Sequence, residues 1–342
     1  MSTVLYKNSE QSSSPAVEPG DVRAQFQALR SGCGLYDLSD RVKIRVTGGD
    51  RVRWLNGMVT NNVRDLAPNH GVYAFLLNAQ GRIQGDLYAY NLGDSLLVDI
   101  ESGQRERILA HFDKYIIADD VEVTDVSPTL TSIGVAGPQA RIVLDKAGIH
   151  APDLAPLELC SPTCDCACGC EQCTLVSGED FAGPSYEIWL TPEKLKPTWD
   201  ALTVAGAMPV GVEALEFRRI SFGIPRFGVD IGERDLPQET GQTRALNFTK
   251  GCYLGQEIVE RIRSRGAVHR QFTAFAVEGA LPETGATILA GDTQAGEITS
   301  SAILPLAGGD RPAAIGYLRH EARGKDLRAG TGTLKVTSFP IV

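Results

Sequence analysis

The sequence predicts an α+β protein made of two mixed units and a final all-β unit. Three observations carry this. A β-α-β-β-β-α-β succession runs over residues 42–127, a second series of strands and helices starts near residue 128, and no helical period survives beyond residue 270. At 342 residues, 43% of them apolar, the chain is long enough for two or three domains, and three fit this succession best.

The opening MSTVLYKNSEQSSSPAVEPG has one early lysine, no apolar segment and no small-residue cleavage pattern. It reads as a flexible Ser/Pro-rich leader rather than a signal peptide, which makes the cytoplasm the expected compartment. No apolar run reaches the roughly 18 residues that a bilayer crossing requires, so no membrane contact is expected. VKIRVTG (42–48) alternates as a strand, and DRVRWLNGMV follows with helical spacing from Asp50 as N-cap. VYAFLLNAQGRIQGDLYAYNLGDSLLVDI (72–100), with turn signals at Asn78 to Gly81 and at Gly93-Asp94, predicts three antiparallel strands. GQRERILAHFDKYI places Ile108, Leu109 and Phe112 on one helical face, and VEVTDV returns to strand.

The second series begins with LTSIGVAGPQARIVLDKAG, a strand, a Gly137-Pro138 turn and a helix. SYEIWL is a further strand, and Thr191 with Pro192 open a helix that sets Leu195, Trp199 and Leu202 on one face. Another helix, GVEALEFRRISF, stops at Gly223 with Pro225 beyond. After residue 270 the runs FTAFAV, ATILA, AAIGYL and GTLKVTSF, separated by Gly, Pro and Asp, predict a small β-barrel or sandwich.

The formal charge of −9 argues against direct nucleic-acid binding, which needs a basic surface. RIRSRGAVHR (261–270) is the exception, with four arginines, a histidine and no acid; it reads as a solvated loop or strand edge, or as a local anion site.

The densest chemistry lies in FTKGCYLGQEIVERIRSRG (248–266), where Lys250, Gly251, Cys252, Tyr253, Gly255, Gln256 and Glu257 fall within eight positions. Glycines beside Cys252 allow tight bending or close ligand approach. Lys250 and the downstream arginines favour a thiolate at Cys252; the plainer reading is a turn with a small buried cysteine. In the meander, GDLYAY puts Asp86, Tyr88 and Tyr90 on one strand face by the period of two.

KGCYLGQE resembles the signature of the YgfZ family, folate-binding proteins similar in fold to the glycine-cleavage T-protein (aminomethyltransferase) and linked to iron-sulfur cluster maintenance. The resemblance spans roughly residues 30–342, with GLYDLSDRVKIRVTGGDRVRWLNGMVTNNV, YIIADDVEV, FRRISFGIPRFGVDI and GEITSSAILP in family order. It implies a three-domain cloverleaf with folate in a central hole. A discontinuous α+β domain (1–41 and 128–268) would hold an inserted α+β domain (42–127), followed by a C-terminal β-barrel (269–342).

A pterin, flat and with donating ring nitrogens, suits Asp86 beside its tyrosines. T-proteins carry an Asp-Asp doublet where this chain has Gly85-Asp86. The resemblance further implies Tyr73, Glu187 and Arg219 at the folate site, with Tyr90 added from the strand face beside Asp86; as bare residues Glu187 and Arg219 read more plainly as a structural ion pair or surface charges. Ser221 stands where T-proteins have a glutamate. Cofactor and function follow as tetrahydrofolate or a derivative, and an accessory role for iron-sulfur proteins or their assembly factors, including iron-sulfur tRNA-modifying enzymes. The alternative is an aminomethyltransferase that moves a one-carbon unit onto tetrahydrofolate.

The stretch CSPTCDCACGCEQC holds Cys160, Cys164, Cys166, Cys168, Cys170 and Cys173, six of the chain's eight cysteines. The family pattern is complete without them, which marks an insertion. Single-residue gaps are tighter than zinc-knuckle spacing and suit soft-ion packing, so zinc or an iron-sulfur cluster is one expectation; disulfides or labile thiols are the other.

Overall fold

The computed structural model describes residues 21–165, 173–179, 183–266 and 268–341. The chain divides into two compact units, Met1–Lys43 with Val126–Gly211, and Ile44–Asp125 with Val212–Val342.

In the first unit a six-stranded sheet runs in the order Met208–Pro209, Gly34–Asp37, Thr131–Ala136, Ser185–Leu190, Thr174–Ser177, Leu159–Cys160. Thr131–Ala136 is buried along its whole length. The helix Pro192–Val204 buries Leu195, Trp199 and Leu202 against this sheet, as their spacing predicts. Pro192 takes its first turn, where the missing N–H costs nothing.

In the second unit a five-stranded sheet has the order His70–Leu77, Ile83–Asn91, Leu96–Ile100, Val42–Thr47, Glu122–Asp125. The helices Arg51–Met58 and Arg105–Tyr115 meet through an edge-on contact of Trp54 and Phe112, ring centroids 5.1 Å apart. Asp50 stands at the N-cap position, yet its side chain caps nothing there; its carboxylate accepts from the Asp120 N–H at 3.0 Å instead.

The C-terminal strands close a six-stranded barrel, Arg270–Glu278, Gly309–Arg319, Thr293–Leu306, Thr287–Ala290, Leu327–Ala329, Gly332–Thr337, around Phe275, Ile298, Leu318 and Leu334. One expectation is corrected here. Residues 261–265 of the arginine-rich stretch are not a loop or strand edge but the end of the helix Gln256–Arg265, framed by left-handed Gly255 and Gly266. No helix among the described residues is long and apolar enough to cross a membrane.

Candidate functional site

The hairpin of the second unit builds the first half of the site. Tyr73 is registered opposite Tyr88 and Phe75 opposite Asp86, so Tyr73 and Asp86 are diagonal neighbours on one face. Tyr73 Oη donates to Asp86 Oδ2 at 2.6 Å. Burial, with the Asp86 charge adding, pushes the Tyr73 phenol well above its usual pKa, so it remains a donor. From the next helix Gln104 grips the same residue twice: its Nε2 donates to Asp86 Oδ1 at 2.7 Å and its Oε1 accepts from the Asp86 N–H at 2.9 Å.

Aromatic rings continue the face. Tyr88 lies tilted 5.1 Å from Tyr73, and Tyr90 stacks on Tyr88 at 6.4 Å. Tyr88 is half-buried while Tyr90 is buried. The Arg244 guanidinium sits 4.1 Å over the Tyr73 ring, a cation–π distance. Asn61 fixes that pairing, its Nδ2 donating at 2.8 Å both to the Tyr73 carbonyl and to the Arg244 carbonyl.

The KGCYLGQE segment forms the second half. Lys250 is 1% exposed, and its Nζ donates to the carbonyls of Asn56 and Val59. Leu254 N–H donates to the Gly57 carbonyl at 3.1 Å. These acceptors include carbonyls that the helix Arg51–Met58 leaves open at its C-terminal end, so the segment caps that helix. Burial, with the Arg64 charge adding, pushes Lys250 down to about 7.

Tyr253 is buried in the cluster that also holds Tyr73, Phe75 and Leu77. Gly255 has φ 82°, and a Cβ there would lie 2.5 Å from the Asn78 carbonyl oxygen, so only glycine lets the segment rest on the hairpin turn. Gln256 Oε1 accepts from the Tyr253 N–H at 3.3 Å. Against this anchored frame Gly251, Cys252 and Glu257 are exposed. The reading of Cys252 as a small buried hydrophobe is therefore wrong.

Arg219 and Glu187 have other partners. Arg219 Nη1 donates to the fully buried Asp230 at 2.6 Å, Nη2 to Ser300 Oγ at 2.8 Å, and Nε to Glu216 at 2.8 Å. Glu187, in the first unit, accepts from Lys43 Nζ at 3.4 Å and from Trp189 Nε1 at 3.1 Å. Both thus take part in structural ion pairs, the plainer of the two readings of their sequence.

Of the cysteine cluster, Cys166, Cys168 and Cys170 lie outside the described residues. Cys160, Cys164 and Cys173 are described, with Cys164 Sγ 3.8 Å from Cys173 Sγ. Among the described residues no group of three or more His, Cys, Asp or Glu is placed to hold a metal ion.

Sequence reasoning missed Gln104, Asn61 and Arg244. Gln104 and Arg244 carry no local signal; Asn61 stands in the stretch quoted for the family resemblance, unremarked.

A five-stranded sheet with a gripped carboxylate on its tyrosine face, set beside a closed barrel, invites comparison with known folds. The family model described as the GCVT N-terminal domain matches residues 6–250, well over half of the chain. The chain belongs to that family. It is 28% identical over 313 residues to the aminomethyltransferase of Rubrobacter xylanophilus, covering 90% of this chain and 82% of that protein. Against the aminomethyltransferase of Halothermothrix orenii it is 28% identical over 308 residues, covering 87% and 83%. The crystal structure of glycine cleavage system aminomethyltransferase T from Bartonella henselae superposes with a TM-score of 0.84 at 22% identity, covering 95% of this chain and 90% of that one. The fold is that of the T-protein.

Proposed function

We propose that this chain is a YgfZ-type protein that binds tetrahydrofolate or a derivative and uses Cys252 to support the assembly or repair of iron-sulfur enzymes, tRNA-modifying ones among them. The observation that carries this reading is the presentation of Cys252. Lys250, Tyr253, Leu254, Gly255 and Gln256 are all spent on fixing the loop, and the thiol between them is exposed. A loop built this way suits a thiol offered to a partner.

Folate binding rests on Asp86. Bound tetrahydrofolate would supply ring N–H donors; Asp86 is the acceptor, the half-buried Tyr88 ring a stacking surface, and Tyr73 and Gln104 hold the carboxylate in one orientation. Tyr90 supports the Tyr88 ring from behind, and the assignment of Glu187 and Arg219 to the ligand remains part of the proposal.

A second reading, aminomethyl transfer to tetrahydrofolate, is favoured by the names of the 28%-identical relatives. Departures at Gly85 and Ser221 and the Cys252 signature speak against it. Two experiments separate the readings. Tetrahydrofolate should bind saturably to anaerobically purified protein and more weakly to Asp86→Ala. Cells that depend on this protein should lose iron-sulfur enzyme activity with Cys252→Ser; normal activity there, together with methylenetetrahydrofolate formation from a lipoylated carrier protein, would establish the transferase instead.

A further inference from the structure

The barrel has one stretch of strand edge that neither the proposed folate site nor the Cys252 loop uses. Arg270–Glu278 pairs with Gly309–Arg319 from Arg270 to Ala276, but with Gly332–Thr337 only from Ala274 onward. Residues 270–273 therefore have a strand neighbour on one side alone. The His320 N–H donates to the His269 carbonyl at 3.0 Å, and the alternation of an antiparallel ladder then turns the backbone of Gln271 and Thr273 toward Gly309–Arg319. The backbone of Phe272 faces the other way. On that side lies a slot of about 300 Å³ whose lining includes Gln271, Phe272, Arg323, Val336 and Phe339.

The lining joins two chemistries. Arg323 Nη2 donates to Gln271 Oε1 at 2.7 Å, which orients the guanidinium and, among the described residues, leaves Gln271 Nε2 without an acceptor and Arg323 without a carboxylate. With the Phe272 N–H, that makes three kinds of donor. Beside them Val336 and Phe339 are 47% and 36% exposed, and the Phe339 ring stacks on Phe272 at 6.2 Å. Neighbouring acids do not cancel the charge: the turn 323–326 holds two cations against one acid, Glu321 faces Arg319 at 3.8 Å, and Asp235 and Glu239 are taken up by Arg270. We propose that this slot docks the free C-terminus of a partner protein. The terminal carboxylate would accept from Arg323, Gln271 Nε2 and the Phe272 N–H, and an apolar last side chain would lie on Val336 and Phe339. The ladder itself selects an end over a passing strand. Within residues 271–273 only Phe272 turns its backbone to the slot, and a volume of about 300 Å³ is at the lower limit of ligand sites, so there is room for a terminal residue and little more.

The test uses the immobilised full chain and synthetic hexapeptide mixtures, randomised at the first five positions, with one mixture for each terminal residue. Every mixture is made both as free acid and as C-terminal amide, and retained peptides are quantified by mass spectrometry. Free acids ending in Leu, Ile, Val or Phe are expected to be retained at least about tenfold better than their amides, the effect of one charge-assisted hydrogen-bond set. Arg323→Glu, with its fold checked by circular dichroism, should abolish that preference, and Val336→Asp should remove the selection for an apolar end. Equal retention of acids and amides would overturn the proposal. So would retention no better than on immobilised albumin, or binding displaced as well by N-acetyl-leucine as by the enriched peptides, which would make the slot a site for small carboxylates. The comparison of acid with amide on the wild type decides the matter even if a variant fails to fold.

Discussion

Gln104 makes Asp86 a defined acceptor rather than a surface acid. It is 2% exposed and holds the residue through both its amide and its carboxylate. Gln104→Leu removes both contacts, one of them to a charged group, where a hydrogen bond contributes about 1.5–3 kcal/mol. Tetrahydrofolate affinity measured by calorimetry is expected to fall about tenfold, ~1.4 kcal/mol, with the fold intact by circular dichroism. Position 85 points the other way. A Cβ on Gly85 would lie 2.9 Å from Gln104 Oε1 and 3.2 Å from Ile108 Cδ1, in the layer between strand and helix. Restoring the acidic doublet with Gly85→Asp should therefore destabilise the protein by about 2–3 kcal/mol in urea unfolding and confer no aminomethyl transfer. The period of two was enough to put Asp86 with its tyrosines from sequence. It could not supply Gln104, which arrives from 18 residues away through a contact no local pattern encodes.

Among the elements, the KGCYLGQE loop and the helix Arg51–Met58 act as one piece. Lys250 lies inside that joint, and its depressed pKa gives a pH dependence whose sign can be worked out. The unfolded chain keeps this proton up to about its ordinary 10.5, whereas the folded protein gives it up near about 7. Between those values the unfolded state binds more protons, so rising pH favours folding; below about 7 the group adds no slope. Lys250→Met lacks this term. The unfolding free energy of the wild type relative to Lys250→Met should increase by about 1 kcal/mol per pH unit from about pH 7.5 to 9.5, within the limit of 1.36 kcal/mol per unit, as read from urea titrations.

The legible elements share one trait. The meander, the Thr191-Pro192 helix and the barrel strands each carry an unbroken period or a turn signal. The helix Gln256–Arg265 was hidden because its apolar stripe is only Ile258, Val259 and Ile262 among arginines, and its ends are marked by glycines that also suit a loop. The discontinuous arrangement was suggested by resemblance alone, since no spacing within the chain encodes which segments return to the same sheet.

For the whole molecule, the question is how far ligand binding reaches. Tyr73, Asp86 and Tyr90 belong to the second compact unit, and Glu187 to the first. A ligand present at 100 times its Kd stabilises the state it binds by about 2.7 kcal/mol, which slows exchange of amides that open only by unfolding about a hundredfold. Hydrogen exchange with saturating tetrahydrofolate is expected to show this protection along His70–Leu77 and Ile83–Asn91, and to lose it in Asp86→Ala. The assignment of Glu187 to the pterin requires the same protection along Ser185–Leu190. Exchange unchanged on that strand, with the hairpin protected, would mean that Glu187 serves Lys43 and Trp189 alone and that the second unit carries the folate site by itself.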